Sequence, residues 1–196
     1  MRFVSIDIET TGLIPTKHMI LEIGAVIGDF VTPVDQFSTF RRVICRELIV
    51  GHPYALDMNA ALIKEIAHRS VGGYVDSCRQ AYRDMKLWLL REGFPVTADQ
   101  RVKFTAAGKN FAGFDLPFLR GEIGEVGEVS WDAEFVVKHR VFDPGSLYFR
   151  HGDDVIPDLA TCMKRAGIEG VVTHTAIDDA LNVVKVLRAF YGSPEK

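Results

Sequence analysis

An α/β fold, with a central sheet covered by helices on both faces, is predicted by three observations. Three strand-like segments come first along the chain. Strand-like and helix-like segments then alternate. The first segment, residues 2–9, is apolar on both faces through Phe3, Val4, Ile6 and Ile8, as in the buried middle of a sheet.

Each element has its own signal. Thr11-Gly12-Leu13-Ile14-Pro15 ends the first strand. Residues 20–28 and 36–44 read as two more strands, separated by a turn from Gly28-Asp29 to Pro33. Residues 57–69 read as a short helix that begins at Asp57 or Asn59. Residues 75–91 read as a longer one, with Val75, Cys78, Tyr82, Met85 and Leu89 on one stripe. Residues 101–106 are a fourth strand, and a helix follows from Asp115. Residues 136–142 hold a fifth strand, which ends at Asp143-Pro144-Gly145. Residues 158–166 and 175–191 are the last helices.

Composition narrows the class. The 196 residues fit one domain, 1–196, long enough to bury a core without disulfides or a structural metal. Apolar residues at 47% and charged residues at 25% exclude a disordered or fibrous chain. The net charge of −3 excludes a basic coat that binds nucleic acid by charge alone. Cys45, Cys78 and Cys162, an odd number without a CxxC, exclude a disulfide framework and a four-cysteine zinc site. They fit a reducing cytoplasm. Asp7 comes too early for a signal peptide, and no apolar run approaches the ~18 residues of a membrane span. The expected setting is cytoplasmic, without a membrane partner.

Three acidic clusters carry the chemistry. Asp7 and Glu9 lie two apart on a strand, so both leave the same face. Two carboxylates at the end of a buried strand are costly unless a cation or protons neutralise them. The plain alternative is a pair of solvated acids. Asp115 follows the glycine-rich stretch Gly108-Lys109-Asn110-Phe111-Ala112-Gly113-Phe114. It reads either as a helix N-cap or as part of a ligand site whose glycines allow close approach to the backbone. In the third cluster, Thr175-x-x-Asp178 is a capping-box pattern that starts a helix at Thr175. Asp178 is then a capping residue, and Asp179 faces inward at the rim of the apolar stripe. His174 precedes the cap, either as a solvent-facing loop residue or swung back toward Asp179.

The ordered set resembles the DEDDh 3′–5′ exonucleases. Its parts are SIDIETTGL (5–13), ILEIGAV (20–26), Asn-x-x-x-Phe-Asp (110–115) and HTAIDDAL (174–181). That family includes the proofreading subunit of bacterial replicative polymerases and oligoribonuclease. The resemblance implies a ribonuclease-H-like fold, a central mixed five-stranded sheet flanked by helices on both faces. It implies Asp7, Glu9, Asp115 and Asp179 as metal ligands and His174 as general base. The histidine, where the related DEDDy branch has tyrosine, implies the DEDDh branch. Thr10, Leu13, Asn110 and Phe114 are the implied nucleotide-binding residues, with the Thr10 backbone on the 3′-hydroxyl and Leu13 wedged against the last base. The implied cofactors are two Mg²⁺ or Mn²⁺ ions, Asp7 bridging both, Glu9 and Asp179 completing the first, and Asp115 holding the second through water. The implied partners are 3′ ends of single-stranded DNA or RNA, and a polymerase on a separate chain.

Elementary chemistry agrees. Hard carboxylate oxygens suit Mg²⁺ or Mn²⁺ rather than zinc. Two such ions can hold the attacking and leaving oxygens of a phosphodiester. With the four site acids set aside, the net charge of −3 becomes +1, so the acidic total does not exclude a polyanionic substrate. Two other readings remain: an oligoribonuclease-like scavenger of very short RNA, and a silent polymerase-associated binding module. Lys103, Lys109, Arg120, Lys138, His139, Arg140, Arg150, His151, Lys164 and Arg165 flank the later motifs and could track a strand, although most such residues simply face solvent.

Overall fold

The computed structural model describes residues 1–69, 72–121, 130–170 and 175–192. β1 (Phe3–Thr10) and β2 (Ile20–Gly28) form an antiparallel pair in which nearly every residue is buried. β3 (Thr39–Ile44) pairs antiparallel with β2, and β4 (Tyr74–Val75) joins parallel to β3. Farther along the chain come β5 (Val102–Phe104), β6 (Ala106–Ala107) and β7 (Phe135–Val137). β6 runs parallel to β1 and completes a mixed five-stranded sheet in the order β4-β3-β2-β1-β6.

The sheet departs from the expected strands at its edges. The strand expected over 101–106 is two, β5 and β6, because the chain changes partner at Thr105. β5 pairs with β7 in a separate parallel ladder, while β6 pairs with β1. The strand expected over 136–142 begins at Phe135 and stops at Val137; the Lys138 N–H makes one more bond, to the Phe104 carbonyl, before the exposed chain leaves the ladder. Only Phe142 returns, as an isolated bridge to Ala107. The fifth place in the sheet belongs to β4, which is too short to read as a strand by periodicity.

Helices cover both faces. α1 (Pro53–Met58) and α2 (Ala60–His68) stand where one helix was expected. Pro53 sets the earlier start as a first-turn proline, and buried Asn59 divides the two. α3 (Cys78–Arg91) is capped by Ser77, whose hydroxyl accepts from Gln80 N at 3.2 Å. It buries Cys78, Ala81, Tyr82, Met85, Trp88 and Leu89, the i, i+3, i+4 stripe of an amphipathic helix. α4 (Asp115–Gly121) and α5 (Trp131–Glu134) lie on the same side. Here fully buried Trp131 packs against Phe135, with ring centres 4.4 Å apart.

The opposite face carries α6 (Pro144–Leu147), α7 (Leu159–Arg165) and α8 (Ala176–Tyr191). α8 crosses β1 and β2 and packs Val183, Val184 and Leu187 against Phe3 and Val26. Each such side chain withdrawn from water contributes about 1.5–3 kcal/mol before entropy is counted. Among the described residues no helix is long and apolar enough to cross a membrane.

Strand parity decides what faces what. Val4, Ile6 and Ile8 pack in the cluster with α3 and α4, whereas Phe3 packs in the cluster with α8. Asp7 and Glu9 share the parity of Phe3 and therefore point to the α8 side. The start of α8 comes down directly on Gly24, where an added Cβ would lie 2.3 Å from the Ala176 carbonyl carbon. Gly24→Ala is expected to push the start of α8 off the sheet at a cost of about 1–3 kcal/mol. A melting curve followed by circular dichroism should show Tm lowered by roughly 3–10 °C.

Candidate active site

The end of β1 gathers the acids. Asp7 and Glu9 leave one face of the strand, and a register shift follows between Glu9 and Thr10. Asp179 lies in the first turn of α8. One carboxylate oxygen from each of Asp7, Glu9 and Asp179 lies within 4.8 Å of the others. Asp115 arrives from the side. β6 ends at Ala107, so the Ile8 N–H on that edge of β1 has no strand to meet. Asp115 Oδ1 accepts it at 3.1 Å. This bond explains why Asp115, the first residue of α4, turns back to the sheet rather than capping its own helix. His174 lies outside the described residues. Thr175 takes the N-cap position of α8 but makes no side-chain cap bond; its hydroxyl instead donates to Asp178 Oδ2 at 2.7 Å.

A second layer of charge stands behind these groups. Glu22, paired across the strands with Glu9, is 1% exposed. Its Oε2 accepts the Ala176 N–H at 3.0 Å, and its Oε1 accepts from Arg41 Nε. Arg41 also grips Glu65 with both terminal nitrogens, at 2.9 and 3.0 Å. The forked guanidinium neutralises one buried acid and is steered by another. On the other flank, buried Asn59 donates through Nδ2 to the Thr10 carbonyl at 3.1 Å. None of Glu22, Arg41, Glu65 and Asn59 was singled out from the sequence. For Glu22 a signal existed: it is the one charged residue in the apolar run ILEIGAV, where a buried charge demands a partner.

Crowding shows in the proton affinities. Burial first, then the charges of Asp115, Glu9, Asp179 and Glu22, hold the Asp7 carboxyl well above the usual range. Glu9 is pushed up to about 8, by burial and then by Glu22 and Asp179, against a hydrogen bond from Asn59. Burial also pushes Asp115 up to about 8, although backbone N–H groups, Ile8 among them, act the other way. A cluster that resists ionisation on its own is stabilised by a bound cation, which takes the place of the protons. The donors are all carboxylate oxygens, which suits a hard divalent ion.

Asp7, Glu9 and Asp179 form one end of a cleft of about 550 Å³, while Asp115 stands behind them outside its lining. Thr10, Leu13 and Phe114 also line it, and so do His18, His52, Tyr54 and Met58. Leu13 is 79% exposed and Tyr54 72%. The cleft therefore joins an acidic floor, which favours a cation, to an accessible apolar rim against which a flat apolar group can lie. The loop after β1 is held in place. Thr10 Oγ1 donates to the Gly12 carbonyl at 2.7 Å, and His18 Nδ1 accepts the Ile14 N–H at 3.0 Å. Gly12 packs so tightly on the His18 ring that a Cβ would lie 2.5 Å from it. Asn110 stands outside the cleft lining, in a left-handed turn (φ 58°), where its N–H donates to Asp143 Oδ2 at 3.1 Å. Asn110 and the residues of the second layer show that position in a motif and position in the cleft are separate matters.

Between about 4.3, the ordinary glutamate value, and about 8, the folded metal-free protein holds more protons than the unfolded chain. Its stability is fully present below that window and falls as pH rises through it. Thermal melts in a chelator are expected to show Tm falling by roughly 5–10 °C from about pH 5 to about pH 8. Mg²⁺ or Mn²⁺ should restore most of the loss at the higher pH and little at the lower, because the ion needs ionised ligands.

No protein-family model and no curated protein matches the chain. Among solved structures it is similar to cell-death related nuclease 4 (CRN-4), with a TM-score of 0.60 and 12% identity. The match covers 97% of this chain and 63% of the CRN-4 chain, so the protein spans less than two thirds of that nuclease's length. At this identity the likeness concerns architecture. The chain has a ribonuclease-H-like fold, with a mixed five-stranded sheet flanked by helices on both faces.

Proposed function

We propose that the protein is a metal-dependent 3′–5′ exonuclease of the DEDDh type. It hydrolyses the terminal phosphodiester at the 3′ end of single-stranded DNA or RNA and releases nucleoside 5′-monophosphates. The observation that carries this reading is the convergence of Asp7, Glu9 and Asp179 within 4.8 Å at one end of an apolar-rimmed cleft. The likeness in fold to a structure named as a nuclease supports it.

Asp7, Glu9 and Asp179 would hold one divalent ion, and Asp115 with Asp7 a second. When bound, Mg²⁺ or Mn²⁺ supplies charge neutralisation at the phosphate and lowers the proton affinity of the attacking water. The protein's own residues do the rest. The Ile8 N–H and the strand geometry keep four carboxylates in place before substrate arrives, so little reorganisation is needed in the reaction. Leu13 and Phe114 contact the terminal base, and the Thr10 backbone receives the 3′-hydroxyl. His174 accepts the proton of the attacking water through a ring nitrogen. An imidazole, with an ordinary pKa of about 6.5, is suited to that role near neutrality.

Incubation of 5′-labelled DNA and RNA oligonucleotides with Mg²⁺ or Mn²⁺ tests the reading. The expected result is a ladder that shortens one nucleotide at a time from the 3′ end. Asp7→Asn should lower turnover by about 10³-fold or more. His174→Ala should lower it by about 10²–10⁴-fold and leave metal-dependent stabilisation intact. Cleavage confined to RNA of a few nucleotides would favour the scavenger. Intact substrate with both ions would overturn the enzyme reading in favour of a binding module.

A further inference from the structure

A second groove lies away from the catalytic cleft and shares no lining residue with it. It has a volume of about 600 Å³, and Lys138, His139 and Arg140 stand along it. A smaller groove adjoins it through Thr105 and Lys138 and adds Arg2 and Lys103. Among the described residues, neither groove is lined by an acid. The basic patch stands in a chain with more acids than bases. Elsewhere Arg41, Arg42, Lys86, Arg120 and Arg165 are held in ion pairs. Arg2 at the border pairs with Glu92. Among the described residues, no such pair or side-chain hydrogen bond involves Lys103, Lys138, His139 or Arg140.

The ladder of β5 and β7 builds the patch. Lys103 sits opposite Val136, and the Lys138 N–H extends the pairing to the Phe104 carbonyl at 2.9 Å. By the two-residue period of strands, Lys103 and Lys138 leave the same face. Thr105 joins this ladder to β1, because its carbonyl accepts the Val4 N–H. Asp7 and Glu9 lie three and five residues beyond Val4, roughly 10–16 Å along the strand. The groove therefore borders the start of β1, whereas the acids stand toward its other end.

We infer that the groove of Lys103, Lys138, His139 and Arg140 is a second nucleic-acid site, which binds backbone phosphates of a single strand on the 5′ side of the end held in the cleft. The inference rests on the nuclease reading for its choice of polyanion. Exposed cations with no acid among the groove's described lining residues bind a phosphate chain by releasing its counterions. Such contacts carry no base preference, so they suit an enzyme that moves along any sequence. They would hold a long substrate during successive cleavages and give nothing to a very short one.

The test uses the full-length protein and the double variant Lys138→Gln/Arg140→Gln, in which both changed residues lie outside the cleft. Binding of a long fluorescent oligothymidylate is followed by anisotropy over a range of salt, without divalent ions so that nothing is cleaved. The expected result is a drop in affinity of about tenfold at low salt and a slope of log K against log salt shallower by about 1.4. In parallel, hydrolysis of the p-nitrophenyl ester of thymidine 5′-monophosphate with Mn²⁺ should be equal in the two proteins. Unchanged affinity and slope would overturn the inference. So would displacement of the groove's contacts by polyglutamate with no oligonucleotide binding, which points to an acidic protein partner. If neither protein hydrolyses the small ester, the nuclease reading fails, and the anisotropy still decides the groove.

Discussion

Mutual repulsion among buried carboxylates at the end of β1 is the constraint around which this structure is organised. Asp7 and Glu9 are brought together by the strand itself, Asp179 by a helix and Asp115 by a backbone hydrogen bond. In water these groups would separate. Here the close-packed sheet, with β2 buried at all nine positions, prevents them from doing so. Protons or cations must then complete the site, and the upward shift of Asp7, Glu9 and Asp115 expresses that need. Packing energy in the core thus maintains an electrostatic arrangement that is unfavourable by itself.

The arrangement is kept from drifting by a second set of charges. Glu22 holds the first N–H of α8, Arg41 neutralises Glu22, and Glu65 orients Arg41. Gly24 lets the helix backbone sit directly on the strand beneath. These contacts fix where Asp179 stands relative to Asp7. Because one guanidinium serves both Glu22 and Glu65, the trio keeps one net negative charge behind the site, which favours cations over anions in the cleft.

Much of the site was legible along the chain for a local reason. The two-residue period of a strand puts Asp7 and Glu9 on one face whatever the rest of the fold does. The start of α8 at Thr175 was equally legible, since a cap depends on residues three apart. Other features were hidden. Asp115 looks like a helix cap in sequence, and only the early end of β6 gives it another partner. β4 has two residues and no periodicity to read. The division of β5 from β6 at Thr105 follows from a change of partner strand, which leaves no mark in composition.

The sequence by itself determined the strands of the central hairpin, the helical stripe of α3, and the order and local facing of the acids. All of these arise from the geometry of neighbouring residues. Tertiary structure decided which acids meet, how Glu22 is neutralised, and that Lys103 and Lys138 share a groove. The bonds responsible join residues far apart, 107 positions between Ile8 and Asp115 and 154 between Glu22 and Ala176. No local period encodes such a pairing, because it depends on how whole elements pack and on which backbone groups are left without a neighbouring strand.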